Sequence, residues 1–99
     1  MTKVLEGYQL AVIRIVVRGL VQGVGFRWWA MRTARDLGVD GWVANNPDGS
    51  VEIAASGSDR SVARLVDLCR TGPAGAVVDS VDSHAHPGAV GSGFRISGR

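Results

Sequence analysis

A glycine-rich loop lies between a strand-like run and a helical pattern, and this junction limits the possible folds more than any other segment. Residues 19–27 read G-L-V-Q-G-V-G-F-R and follow the β-branched run L-A-V-I-R-I-V-V-R at residues 10–18. Glycine lets the backbone turn sharply and approach a ligand closely, because it has no Cβ. A helix that begins after such a loop presents unpaired N–H groups and the positive end of its dipole. The segment therefore predicts a binding site for one phosphate group.

The predicted phosphate ligands lie within six consecutive residues. The guanidinium of Arg27 offers donors in a rigid fork that fits a phosphate bidentately. A solvent-facing arginine is the less favoured interpretation, because a cation at a helix start opposes the dipole unless an anion is present. Backbone amides are expected to complete the cradle, and they belong to Gln22, Gly23, Val24, Gly25, Phe26 and Arg27.

Hydrophobic periodicity predicts five strands and two helices. Strands are expected at residues 10–18, 41–46, 51–55, 76–85 and 94–97, where apolar residues alternate or cluster. Helical spacing runs from Phe26 to Leu37, where Gly38 is a good stop. A second helix is expected after a cap at Ser58 or Asp59, with Gly72-Pro73 ending it. Cys69 lies on its apolar stripe and is expected to be buried.

The order of these elements predicts an α+β fold, the ferredoxin-like split βαβ sandwich, β-α-β-β-α-β plus a short extra strand. Its sheet is expected to be antiparallel, with both helices on one face. A right-handed crossover makes the first two strands parallel, with the third strand inserted between them. The ends of these two strands then share one edge of the sheet, which brings Arg27 toward Asn45. Asn45 is either a residue of the turn that follows or the group that orients a water molecule.

Composition narrows the classes of protein without naming a function. The 99 residues suit one domain, with residues 1–9 expected to be a flexible extension of a single domain at 10–99. One cysteine and no apolar run of membrane-spanning length favour a cytoplasmic protein without a membrane partner. The net charge of +2 suits a small anionic substrate and is too weak to indicate nucleic acid.

The remaining conspicuous side chains are interpreted as structural. His84 and His86 form an H-x-H pair without further ligands at metal-binding spacing, so no metal site is predicted. Trp28, Trp29 and Trp42 are expected to be packing residues, although two adjacent tryptophans at a helix start cannot both face inward.

Two motifs of the chain resemble those of the acylphosphatase family. The first, G-x-V-Q-G-V-x-F-R, covers Gly19 to Arg27, and the second, G-W-V-x-N-x-x-D-G-x-V-E, covers Gly41 to Glu52. The step of 18 residues from Arg27 to Asn45 (45 − 27) is also similar. The likeness extends over nearly the whole chain past residue 10. Leu20 departs from it, since many members carry Lys or Arg there, and so does the glycine-rich stretch at 84–93.

The resemblance implies hydrolysis of an acyl phosphate to a carboxylate and inorganic phosphate. Arg27 and the amides of residues 22–27 would hold the phosphoryl group, and Asn45 would orient the attacking water. No cofactor is expected; the partners are the acyl phosphate and inorganic phosphate, as product and inhibitor, and the protein is expected to be a monomer.

Other classes remain to be weighed against this interpretation. An RNA-recognition domain shares the topology, but its base-stacking aromatics are missing from strands 1 and 3. A domain serving a larger carbamoyl-transfer enzyme would carry the same motifs, although a chain of 99 residues leaves no room for a further catalytic module. The third alternative is a non-catalytic phosphate or acyl-phosphate-binding domain of the same fold, which only an activity measurement excludes.

Overall fold

The computed structural model describes residues 11–97, so the expected extension at 1–9 lies outside the described residues. This range contains five strands and two helices. In chain order they are β1 (Ala11–Leu20), α1 (Phe26–Leu37), β2 (Asp40–Asn45), β3 (Val51–Gly57), α2 (Asp59–Cys69), β4 (Val77–Ala85) and β5 (Phe94–Ile96). The predicted order of elements is confirmed, with boundaries shifted by a few residues. Neither of these helices is long or apolar enough to cross a membrane.

The five strands form one sheet in the order β4-β1-β3-β2-β5. Because β3 is antiparallel to both β1 and β2, those two strands are parallel and end at the same edge, as predicted. The expected antiparallel sheet is correct for four strands and wrong for β5, which pairs in parallel with β2. Residues 86–93 carry the chain from the edge beside β1 to the edge beside β2. The chain therefore returns antiparallel to β4, which makes β5 parallel to β2, and the sheet is mixed.

The core lies between the sheet and the two helices. Alternate residues of β1 and β3 face it, which is the period of two predicted for half-buried strands. Helix α1 contributes residues at a spacing of three to four, and α2 does the same. The buried set includes Ile15, Val17, Phe26, Ala30, Ala34, Val51, Ile53, Val62, Leu65 and Cys69. Burial raises the pKa of the Cys69 thiol to about 12, so the thiol is protonated at neutral pH and packs as a small apolar group.

The two helices begin differently, and the difference matters for function. Helix α2 begins at a conventional cap, where the Ser58 hydroxyl accepts from the Ser61 N–H at 3.1 Å. Helix α1 begins after Gly25, which has no side chain to cap it.

The prediction that Gly72-Pro73 ends α2 is wrong by a few residues, since α2 ends at Cys69. The end of the helix is separated from Gly72-Pro73 by a turn, in which the Gly72 N–H donates to the Leu68 carbonyl oxygen.

Candidate active site

A bulge in β4 lies opposite the end of β1, where the glycine-rich loop begins. The β1–β4 register shifts between Arg18 and Gly19, so one residue of β4, Asp79, has no partner opposite it. Gly19 has φ +132°, and a Cβ there would lie 2.2 Å from the Val77 carbonyl oxygen. Only glycine fits this position without displacing the neighbouring backbone. The bulge therefore explains why the loop begins with glycine.

The N-terminus of α1 has unpaired backbone donors. Gly25 has φ 80°, a left-handed conformation that glycine adopts without steric cost, and it is the N-cap residue. The first turn holds Phe26, Arg27 and Trp28 and no acidic side chain. Helix geometry leaves the N–H groups of this turn without intrahelical partners. These amides and the helix dipole thus favour an anion at this end of α1.

Arg27 and Asn45 line the same small cavity, as the predicted topology requires. Its volume is about 80 Å³, and its lining is Val21, Gly23, Gly25, Phe26, Arg27, Trp28 and Asn45. Arg27 is half-buried. No carboxylate among residues 11–97 forms an ion pair with its guanidinium. The cavity therefore combines a guanidinium, the start of a helix and a neutral amide.

Two of the predicted phosphate ligands, Gln22 and Val24, do not line this cavity. The Gln22 side chain instead donates from Nε2 to the carbonyl oxygens of Asn46 at 2.8 Å and Ser50 at 2.9 Å. This pair of bonds ties the loop to the turn between β2 and β3. Val24 is half-buried and packs against the core. That their backbone amides bind phosphate stays a prediction.

The turn after β2 is held by residues other than Asn45. The Asn46 N–H donates to the Ser50 carbonyl oxygen, and the Asn46 carbonyl oxygen accepts from the Gly49 N–H. The side-chain Nδ2 of Asn46 donates to Ser50 Oγ at 3.0 Å. Asp48 Oδ1 accepts from the Ser50 N–H at 2.9 Å and from its hydroxyl at 2.6 Å. The Asn45 side chain takes no part in these bonds. The turn thus leaves the Asn45 amide group to the cavity.

Sequence reasoning missed the polar network beneath this turn. Ser50 is almost completely buried, with 1% of its surface exposed, and Asp48 also accepts from Arg18 at 3.2 Å. The hydrogen bonds from Ser50, and then the one from Arg18, lower the pKa of Asp48 to about 2. A charged side chain (Arg18) followed 30 residues later by a turn aspartate gives no sequence signal of contact. The link depends on β1 and β3 being neighbours in the sheet.

The low pKa of Asp48 predicts a loss of stability in acid. Because the folded-state pKa lies below the ordinary value of 3.8, the ionised carboxylate stabilises the fold above that pH. This contribution should fall as the pH drops from about 4 toward about 2. In Asp48→Asn, thermal unfolding should show a lower Tm at neutral pH and a difference from the parent that narrows over this range. A constant difference from pH 7 to pH 2 would contradict the assignment.

Of the two adjacent tryptophans at the start of α1, one packs inward and the other is exposed, as their adjacency requires. Trp29 packs edge-on against Phe26, with ring centroids 5.2 Å apart and an interplanar angle of 65°. Trp28 is 63% exposed, so the prediction that it is a packing residue is wrong. Trp42 is half-buried. His84 is exposed and His86 half-buried, and residues 11–97 contain no group of three metal-ligating side chains.

The comparisons with known proteins agree with the fold and identify a family. The acylphosphatase family model matches residues 13–96. An acylphosphatase of Nitrobacter hamburgensis is 56% identical over 71 residues, which are 72% of each chain. The structure of an acylphosphatase from Coxiella burnetii superposes with a TM-score of 0.85 at 34% identity, covering 90% of this chain and 94% of that one.

A larger protein contains a similar domain. Full-length HypF, in a phosphate- and nucleotide-bound form, matches with a TM-score of 0.84 at 25% identity. The match covers 92% of this chain and 12% of that one. The fold thus occurs both in chains of this size and as a small part of a long one. With the family model matched over most of its length, the present chain belongs to the acylphosphatase family.

Proposed function

We propose that this protein hydrolyses acyl phosphates to a carboxylate and inorganic phosphate at the cavity between α1 and the end of β2. The observation that carries the proposal is that Arg27 and Asn45 line one cavity at the uncapped N-terminus of α1. A guanidinium and helix amides bind a phosphoryl group. A neutral amide beside them can bind a water molecule at any ordinary pH.

In the proposed reaction, Arg27 and the amides of residues 22–27 hold the phosphoryl oxygens. The Asn45 amide orients a water molecule whose oxygen attacks phosphorus. The bond between phosphorus and the acyl oxygen breaks, the bonding electron pair leaves with the carboxylate, and the proton lost by the water passes to solvent or phosphate. Since a carboxylate is a good leaving group, the step needs no strong general acid. Positioning and stabilisation of the developing charge are the protein's main contributions.

The hydrogen bonds around the cavity support this division of roles. Gln22 ties the loop to the β2–β3 turn, and Asn46 and Asp48 hold the turn through Ser50. These contacts connect the phosphate-binding side of the cavity to the strand end that carries Asn45. The side chains of Gln22 and Ser50 therefore have positioning roles in the proposal, and neither side chain is assigned contact with the phosphoryl group.

Hydrolysis of benzoyl phosphate and acetyl phosphate by the purified protein tests the proposal. Both should be turned over, and activity should survive exhaustive treatment with EDTA because the proposed ligands are amides and a guanidinium. Absence of turnover with both substrates would overturn the function. Activity that EDTA abolishes and a divalent ion restores would overturn the metal-independent mechanism.

A non-catalytic phosphate-binding domain is the second candidate function. The match to a small part of full-length HypF, which was solved in a phosphate-bound form, favours it because a related domain there belongs to a much longer chain. This alternative predicts that inorganic phosphate stabilises the protein while neither acyl phosphate is hydrolysed. The same preparation, measured by thermal unfolding and by phosphate release, separates the two functions.

A further inference from the structure

Trp28 exposes a large aromatic surface at the edge of the proposed phosphoryl site. Its exposed fraction of 63% is unusual for tryptophan, which is highly buried on average. Trp28 also lines the small cavity that holds Arg27 and Asn45. The packing of the core, in which the neighbouring Trp29 takes part, does not explain this exposed ring.

A groove along α1 shares two lining residues with the small cavity. It has a volume of about 470 Å³ and is lined by Gly25, Trp28, Trp29, Arg32, Thr33 and Asp36. Gly25 and Trp28 line both spaces, so the groove and the cavity meet at these two residues. The groove is about six times as large as the cavity by these volumes (470/80), and its end nearest the cavity is aromatic.

The size of the two spaces suggests how a substrate divides between them. The cavity of about 80 Å³ leaves little room beyond a phosphoryl group and a water molecule. The acyl group must therefore extend beyond the cavity, and Trp28 is the one large side chain among residues 11–97 that lines both the cavity and the groove. An aromatic ring provides a large apolar contact area and prefers offset or edge-to-face packing against another ring.

Charge in the groove also restricts the acyl group. Arg32 and Asp36 contribute one charge of each sign, so the pair adds no net charge to attract an ionic acyl tail. Trp28 and Trp29 supply the apolar surface. An uncharged aromatic or bulky apolar group suits this lining better than a small or charged one.

We propose that Trp28 determines acyl-group specificity, binding an uncharged aromatic or bulky apolar acyl group in the α1 groove that shares this side chain with the phosphoryl cavity. The inference rests on the proposed function, because the phosphoryl group must occupy the Arg27 cavity for the acyl group to reach Trp28. It predicts a preference for benzoyl phosphate over acetyl phosphate that depends on the Trp28 ring.

The test is the ratio of kcat/KM for benzoyl phosphate to kcat/KM for acetyl phosphate. In Trp28→Ala the ratio should fall about five- to tenfold, as expected for loss of an aromatic contact and its buried area. Trp28→Phe should keep most of the ratio, because it retains an aromatic face. Val77→Ala is the matched control, since Val77 is 55% exposed on β4 and lines neither space. Its ratio should equal that of the parent.

The outcomes separate this inference from the proposed function. If the parent hydrolyses neither substrate, both fall. If it hydrolyses both and Trp28→Ala leaves the ratio unchanged, the specificity role is overturned and the hydrolytic function stands. An equal fall of the ratio in Val77→Ala would also overturn it, because the effect would then not belong to the groove.

Discussion

Replacing Asn45 by alanine is expected to lower kcat for acyl phosphate hydrolysis by at least about 100-fold while leaving KM nearly unchanged. The Asn45 amide is proposed to contact the attacking water and not the phosphoryl group. Its contribution therefore appears mainly as the transition state forms, which reduces kcat rather than substrate binding. The size is that of a lost transition-state hydrogen-bond donor, roughly 3 kcal/mol. Steady-state kinetics with benzoyl phosphate measures both parameters.

Stability and product inhibition distinguish this effect from damage to the fold. The turn bonds of Asn46, Asp48 and Ser50 do not use the Asn45 side chain, so circular dichroism and Tm should stay near those of the parent. Inhibition by inorganic phosphate should also change little. A folded Asn45→Ala protein with near-normal kcat would show that the water is positioned by another group.

Asn46→Ala is the matched control at the neighbouring position. It removes the same side-chain amide, but one whose Nδ2 bonds to Ser50 Oγ in the turn. This variant should lose stability, by about 1 kcal/mol for one hydrogen bond, and its loss of kcat should be much smaller than that of Asn45→Ala, because its amide contacts the turn and not the water. If both asparagine variants lost activity in proportion to stability, the distinction between catalytic and turn asparagine would be wrong.

The sequence predicted the juxtaposition of Arg27 and Asn45 because local signals and topology rules were sufficient for it. The β-branched run of β1 and the helical spacing from Phe26 identify a strand, a loop and a helix. A right-handed crossover then places β1 and β2 parallel, with their ends at one edge. Neither step needs knowledge of a side-chain contact. The structure agrees, since the two residues line one cavity.

The features that sequence reasoning missed depend on contacts between distant segments. The direction of β5 follows from where residues 86–93 cross the sheet, and a glycine-rich segment gives no signal of its path. The bonds from Gln22 to the turn at Asn46 and Ser50 join residues 24 and 28 positions apart. Likewise, whether Trp28 or Trp29 packs inward depends on the position of Phe26 and the core, and the dipeptide alone is symmetric.

Replacing Arg27 by alanine is expected to reduce kcat/KM by about 1,000-fold or more and to abolish most of the stabilisation by inorganic phosphate. Arg27 is proposed to contact the phosphoryl group in both the ground state and the transition state, so binding and turnover should suffer together. An arginine that stabilises the charge of a transferring phosphoryl group contributes 10³ to 10⁵ in rate. Kinetics with benzoyl phosphate and thermal unfolding with phosphate measure the two effects.

The stabilisation expected from bound phosphate can be calculated. A ligand that binds only the folded state at 100 times its Kd stabilises the parent by about 2.7 kcal/mol. For a domain of this length, that corresponds to a rise in Tm of roughly 10–20 °C. In Arg27→Ala the rise at the same phosphate concentration should nearly vanish. Arg27→Lys keeps the positive charge but loses the bidentate fork, so this variant should show only part of the phosphate-dependent rise in Tm.

Arg60→Ala provides the control for a general loss of positive charge. Arg60 is the second residue of α2, as Arg27 is the second residue of α1, but Ser58 caps α2 and Arg60 does not line the phosphoryl cavity. Its replacement should leave both the activity and the phosphate-dependent rise in Tm unchanged. If phosphate stabilised Arg27→Ala as strongly as Arg60→Ala, phosphate would bind elsewhere. The cavity at the start of α1 would then not be the phosphoryl site.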